Sequence, residues 1–505
     1  VTDTPRSNRP VIVGVGQVAN KDDELVLSPV ALIERAVHRA LDDAGGLPLD
    51  LVDAVLTMPT SVFGHNESAE QLAARLGLAP GYRKISGFSG SSPLEMLAKA
   101  ADMVARGEAR AVLVAGGIAD ASVKRALARG EEPPADQAAP WSQGSDGARD
   151  LPERGDWGRP IPEIAAGMRN PITVFSLMES VFAADAGRSF AEQRTFLGSL
   201  LAPFTVAAAR RPDLAWFPIE RTAAEISTLT NENRLVEEPY SKRMTSFPTV
   251  DQAAAILVTS NATADSLGLA REKRVYPLSI ASCHEPYAPS IRERFNRSVA
   301  LSSAAAKAFA MAGCTLDDVA RFDLYSCFPA AVQLAAASLG LALDDPRGLT
   351  VAGGLPYFGG PGPAYVAHSL ACIVDECRAD TGSIGAAVGL GGMAGHFAVG
   401  LLSTNGDRAP WGSDDGADVI ARLRDHPEPV DLGREGVATV IAMTISVDRD
   451  GVATNAPMVA EFDDGVRTGG RPVSPELARE LAGTSLVGTK VRLEERDGQP
   501  VYSVA

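Results

Sequence analysis

The chain is poor in cysteine, in aromatic residues and in long apolar runs, and each scarcity removes a class of protein. Its 505 residues include five cysteines, an odd number without C-x-x-C spacing, which favours reduced thiols in a cytoplasmic setting over a disulfide framework. No run approaches eighteen apolar residues, and the opening VTDTPRSNRP has no apolar core, so neither a membrane span nor a secretion leader is expected. Positive charge is also short: 47 Lys and Arg stand against 63 Asp and Glu, a formal net charge of −16. A field of that sign disfavours non-specific nucleic-acid binding, while local cations remain able to hold an anionic ligand. The length exceeds one ordinary domain.

Glycine is plentiful, with 48 residues, and its placement organises the chain. Residues 86–117 read SGFSGSSPLEMLAKAADMVARGEARAVLVAGG: a glycine and serine turn, a helix apolar around most of its axis, and a strand closing on Gly116-Gly117. Ser92-Pro93-Leu94-Glu95 has the form of a capping box, which predicts Ser92 as N-cap and Pro93 at the first helical position. Leu94, Met96, Leu97, Met103 and Val104 surround the axis, so the helix is expected to be buried. A buried helix whose positive end faces a glycine turn suits an anion or a thioester carbonyl. A tight βα turn without a ligand accounts for the same residues.

The chain also repeats itself, a signal to be weighed before any single motif. SPVALIERAVHRALDDAGGLPLDLVDAVL from Ser28 pairs with RSVALSSAAAKAFAMAGCTLDDVARFDLY from Arg297, and the turn and helix at Pro93 pair with GGPGPAYVAHSLACIVDE. The offsets are 269 at Val30 and Val299, and 270 at Pro93 and Pro363. Two unrelated segments sharing one offset predict two equivalent α/β halves, each with its own apolar inner helix. Residues 130–160 are polar, rich in Pro and Gly and without periodicity, and helical patterns return over 173–243. Beyond 404 the character changes. GVATVIAMTISV, APMVAEFDD, GTKVRLEER and PVYSVA, separated by DG and GG turns, predict a small, mostly antiparallel β domain, read as a five-stranded barrel.

Two such halves resemble the thiolase superfamily over residues from about 10 to 404. DLYSCFPAAV, GGLPYFGGPGPA and AVGLGGMAGH stand where that family has an N-E-A-F or H-D-C-F loop, a G-G-x-x-x-x-G-H-P loop and a glycine loop with a second cysteine. VDQAAAILVTS resembles its D-G-A-A-A strand. The added β domain and the G-S-S-P turn resemble thiolase-like proteins of type 1, often labelled acetyl-CoA acetyltransferases. The resemblance implies an α/β thiolase fold in a layered α-β-α-β-α arrangement. Its parts would be an N-terminal half at 8–120 completed by 245–272, and an inserted loop domain at 121–244 over the acyl-CoA site. A C-terminal half at 273–404, a linker at 405–418 and the extra β domain at 419–505 would follow. It further implies CoA or acyl-CoA as ligand, a role in lipid metabolism, no bound cofactor, no metal, and a homodimer by family default.

In that family a cysteine at the tip of the first inner helix takes the acyl group, a second moves the α-proton, and His or Asn residues assist. Carried across, these positions fall on Gly90, Tyr325, Gly360 and Gly389. Glycine can neither attack nor carry a proton, so ordinary thiolase turnover is not expected. Backbone N–H groups at Gly90, Ser91 and around Gly391 are still able to polarise a thioester carbonyl. Cys327, Tyr325 and His396 remain as candidates for chemistry, with Ser89, Gly90, Ser91, Gly359, Gly360 and Gly391 as a substrate cradle. Arg210-Arg211 and Lys242-Arg243 are the basic pairs for CoA phosphates. His368 and Cys372 have metal spacing but no carboxylate nearby, and Cys283-His284-Glu285 matches no task in the family. Three functions stay open: a CoA-binding acyltransferase-like protein with altered chemistry, a non-catalytic acyl-CoA sensor or subunit whose partner docks on the β domain, and a hydrolase using Ser89 or Ser91.

Overall fold

The computed structural model describes residues 6–60, 67–134, 161–168 and 170–504; most of the polar stretch at 130–160 lies outside them. Alternation along the strands decides the layering. Strand Asp251–Ser260 is buried almost throughout. Ala253, Ala255 and Leu257 pack to one side with Val11, Val13, Leu113 and Ala115, whereas Ala254, Ile256 and Val258 pack to the other with Ile12, Val112 and Val114. Successive strand residues face opposite ways, so a sheet apolar on both faces must be covered twice. Helix Pro29–Ala44 is the outer cover and helix Ser92–Ala105 the inner one.

This first sheet runs, in spatial order, Pro10–Ala19, Asp251–Ser260, Ala111–Ala119, Val52–Thr57 and Tyr82–Ile85. The second runs Gly412–Asp414, Tyr276–His284, His396–Ser403, Ile384–Gly391 and Val319–Leu324. Four strands of each share one order and one set of pairings. Val52–Thr57 is parallel to Ala111–Ala119 as Val319–Leu324 is to Ile384–Gly391, and two antiparallel pairings follow in both. The repeat read from the sequence is therefore present in the strand pairing. Helix Val299–Ala312 covers the second sheet outside, and helix Tyr365–Ala379 lies beside Ser92–Ala105 between the sheets. Even the ends of the outer helices correspond. Ser28 and Ser298 accept the N–H groups of Ala31 and Leu301 at 3.2 and 2.9 Å, and Gly45 and Gly313 close the helices at φ 75° and 60°. The result is an α/β fold in five layers, helix, sheet, paired helices, sheet, helix.

The inserted segment contributes helices Pro171–Asp185 and Phe190–Ala209. Near the C-terminus, strands Gly436–Met443, Met458–Glu461, Arg467–Pro472, Gln499–Val504 and Lys490–Arg496 close a five-stranded barrel. The barrel is fastened to the layers beside it. The Arg467 guanidinium donates to the carbonyls of Ser290, Arg292 and Glu293 at 2.9, 2.6 and 3.2 Å and pairs with Glu461 at 2.7 Å. Met443 N–H donates to Ser180 Oγ at 3.1 Å. Among the described residues no helix is long and apolar enough to cross a membrane.

Candidate functional site

The turn ahead of helix Ser92–Ala105 lies flat against the end of strand Ile384–Gly391, and glycines make that approach feasible. A Cβ on Gly389 would stand 2.8 Å from Ser91 Cα and 2.9 Å from the Gly90 carbonyl oxygen. One on Gly391 would fall on Ser89 Oγ and 2.9 Å from Gly90 N. At Gly90 a Cβ would strike the Leu390 carbonyl and come within 2.5 and 2.6 Å of Tyr325 Cε2 and Cζ. On Gly360 it would strike Ser246 Oγ, with the Phe247 carbonyl at 3.2 Å. Gly359 adopts φ 119° with the Gln252 carboxamide against it, so that position is closed to other residues both sterically and by conformation. The structure thus brings Ser89, Gly90, Ser91, Tyr325, Gly389 and Gly391 together at one mouth.

The serines there are connected in a way the capping pattern does not anticipate. Ser91, not Ser92, holds the cap position, and its hydroxyl makes no cap hydrogen bond. It donates instead to Glu95 Oε1 at 2.6 Å and lies 2.7 Å from Ser89 Oγ. Ser92 Oγ donates to the Gly87 carbonyl at 2.8 Å. The expected capping box is therefore not formed, because Ser92 already lies inside the first turn and Glu95 reaches a hydroxyl rather than a backbone N–H. Among the described residues the Gly90 N–H has no hydrogen-bond partner.

Tyr325 is 8% exposed, and burial raises its phenol well above the usual value, so the hydroxyl stays protonated and keeps a proton to donate. Burial also pushes up the thiols: Cys283 and Cys377 to about 11, Cys372 to about 12, and Cys314 and Cys327 in the same direction. A thiolate is thereby disfavoured at each cysteine, Cys327 included. His396 stacks on His284, ring centroids 4.3 Å apart, with Tyr287 edge-on at 5.0 Å. The register pairs His284 with His396 and His396 with Gly391, so His396 occupies the row next to the mouth. His368 is wholly buried, shares Gln17 with Cys372, and is lowered by burial to about 3. Glu285 forms a buried pair with Arg292 at 3.3 Å. No group of three metal-ligating side chains occurs among the described residues.

The inserted segment packs against loops of the second half. Phe175 and Tyr240 place their rings 4.9 and 5.9 Å from that of Phe328. Trp216 and Phe217 donate their N–H groups to the carbonyls of Phe358 and Tyr357 at 2.7 and 2.9 Å. Beneath them the buried Glu179 accepts from Gln193, Gln333 and Tyr240 at 2.6, 2.7 and 2.8 Å. Of the four basic candidates, Arg211 is engaged by the Val351 carbonyl at 3.1 Å and by Glu376 at 3.4 Å. Arg243 donates to the Glu225 carbonyl at 2.7 Å, while Lys242 and Arg210 are exposed. Tyr357 is 2% exposed, its hydroxyl has no hydrogen-bond partner among the described residues, and the charges of Arg221 and Arg243 act on it. Sequence reasoning missed Glu95 as partner of Ser91, Ser246 beside Gly360, and the buried Tyr357 hydroxyl within the charge field of Arg221 and Arg243. Only the first had a signal, the i,i+4 spacing of Ser91 and Glu95. A cleft of about 470 Å³, whose lining includes Glu285, Arg292, Arg294, Arg422 and Glu428, mixes both charges and shares no lining residue with the mouth.

No protein-family model and no curated protein matches the chain. Among solved structures, a monomeric SCP2-thiolase-like protein type 1 from Mycobacterium smegmatis is 29% identical, with TM-score 0.83 over 99% of this chain and 100% of that one. An acetyl-CoA acetyltransferase from Syntrophomonas wolfei is 16% identical, with TM-score 0.58 over 79% of this chain and 100% of that one. The Acat5 thiolase of Ascaris suum, solved in complex with coenzyme A, is 15% identical, with TM-score 0.56 over 78% and 99%. These last two share the fold alone; the first extends over the barrel as well. The chain has the thiolase fold and resembles the thiolase superfamily, with its fullest likeness among these three to a thiolase-like protein of type 1.

Proposed function

We propose that the chain binds CoA thioesters, with the thioester carbonyl at the Gly90 mouth, and that it does not work through the cysteine mechanism of thiolases. One observation carries this reading. At Gly90, Gly360 and Gly389 the space a catalytic side chain would need is taken by Tyr325 and the Leu390 carbonyl, by Ser246, and by the backbone of Gly90 and Ser91. The donors for a carbonyl oxygen remain, namely the Gly90 N–H and the neutral Tyr325 phenol. At the far end of the ligand, the exposed Lys242 and Arg210 are the groups suited to CoA phosphates; Arg211 and Arg243 are already engaged. The coenzyme A complex of the Ascaris enzyme supports the ligand class. The Mycobacterium protein is monomeric, which supports a monomer here over the family's homodimer.

CoA, acetyl-CoA and acetoacetyl-CoA added to the purified chain, with melting shift, intact mass and thiolysis followed together, test this. A melting shift without CoA-dependent thiolysis is expected. No shift with any ester removes the reading.

A further inference from the structure

We infer that Ser89 is an acyl acceptor and that the mouth hydrolyses the thioester it binds. The inference rests on the thioester-binding reading above and adds to it the atom that makes the bond. A serine at a helix start ordinarily caps the backbone. Ser91, at φ −79° and ψ −20°, is already helical and makes no cap bond, while its own N–H donates to Ser89 Oγ at 3.3 Å. Its single hydroxyl hydrogen is committed to Glu95 Oε1 at 2.6 Å. In the 2.7 Å contact between the two serines the donor must then be Ser89, so the hydrogen bonds run in one direction, from Ser89 through Ser91 to a carboxylate. Ser91 has no exposed surface and Ser89 retains 8%; the Ser89 hydroxyl lies against Gly391 at the mouth, while the connecting one is shielded from water.

A second observation points to a ligand there. Tyr325 is more than nine-tenths buried, packs its ring over Gly90, and makes no side-chain hydrogen bond among the described residues. A phenol and the Gly90 N–H, neither paired, form a donor set for an oxyanion at the positive end of a helix. Ser89 Oγ attacks the thioester carbon, its proton moves to Ser91 Oγ, and the Ser91 proton moves to Glu95. Collapse of the oxyanion breaks the C–S bond, and the departing thiolate takes a proton from solvent water. Water then attacks the acyl-serine ester and gives one proton to solvent, and the Ser89 oxygen released as the acid departs recovers its proton from Glu95 through Ser91, so that thioester and water are converted to acid and thiol. Glu95 acts through Ser91 and is a positioning and proton-holding residue rather than one that touches substrate.

The test combines a fluorophosphonate probe, which traps activated serines, with acetyl-CoA hydrolysis and the acetyl-CoA melting shift on the full chain. One adduct mapping to Ser89 is expected, absent from Ser89→Ala, together with hydrolysis reduced by about 100-fold or more in that variant, the order of a lost nucleophile or base. Glu95→Gln should lower the acylation rate while keeping the acetyl-CoA melting shift, with Glu95→Asp restoring part of the rate; a purely structural Glu95 would lower the melting temperature and the shift together with the rate. Tyr325→Phe keeps the ring over Gly90 and should reduce hydrolysis while leaving the melting temperature close to the parent. A protein that shows the melting shift but no adduct and no Ser89-dependent hydrolysis overturns this inference and leaves thioester binding standing. Absence of the melting shift overturns the binding reading itself.

Discussion

The ring of Tyr325 stands where a side chain at position 90 would begin, with Cε2 and Cζ 2.5 and 2.6 Å from the place of its Cβ. The backbone at Gly90 is not in the left-handed region, so the obstacle is steric. Gly90→Cys is expected to destabilise the fold by about 1–3 kcal/mol, as overpacking does, and to bring no thiolysis. Gly90→Cys combined with Tyr325→Ala should be less destabilised than the sum of the two single variants. Denaturant midpoints at unchanged slope measure this. A Gly90→Cys variant as stable as the parent would show that the ring yields freely.

All five cysteine thiols are raised by burial, which predicts slow alkylation in the native state. Iodoacetamide near neutral pH should label the folded chain far more slowly than the denatured one, with intact mass as readout. Rapid labelling of Cys327 in the folded protein would return it to the list of working nucleophiles.

Burial pushes Glu237 up to about 7, even though Ser446 donates to it at 2.7 Å. A carboxyl raised on folding binds its proton more tightly in the folded state. Its contribution to stability is complete below the unfolded value of 4.5 and is lost as pH rises to about 7. At about 1.4 kcal/mol per unit, the loss amounts to a few kcal/mol at most. Glu237→Gln keeps an acceptor for Ser446 and removes the titration, so between about pH 5 and about pH 8 the parent should lose stability more steeply than the variant. Parallel stability curves would contradict this.

The two halves and their inner helices were legible in the sequence because they rest on local properties. A helix apolar around its axis, a turn of glycine and serine, and one offset shared by two segments all survive in the strand pairing. The barrel was legible from alternation and turn residues in the same way. What fills the mouth was not. Tyr325 and Gly90 are far apart in the chain, and only the packing of one half on the other brings the phenol over the turn. Ser246 beside Gly360 depends likewise on the return of the chain from the inserted segment. The capping box misled by one residue: the sequence pattern places the cap at Ser92 and the first helical residue at Pro93, whereas the helix starts at Ser92 with Ser91 at the cap, the Ser92 hydroxyl finds the Gly87 carbonyl at 2.8 Å and Glu95 finds Ser91.

Arg467 joins the barrel to the layers through three carbonyls and Glu461. Arg467→Ala leaves those carbonyls without a donor and should cost at least about 2 kcal/mol, with Arg467→Lys recovering only part because one ammonium cannot span the same fork of acceptors. Limited proteolysis should then release the barrel strands earlier than in the parent. Unchanged stability in Arg467→Ala would mean that other contacts carry the attachment.

The most direct test of the account is to titrate acetoacetyl-CoA into the chain in a calorimeter and, in the same sample, add CoA and follow the appearance of acetyl-CoA. The account predicts saturable binding heat and no CoA-dependent formation of acetyl-CoA. Conversion of acetoacetyl-CoA to acetyl-CoA that requires both the protein and added CoA would contradict it.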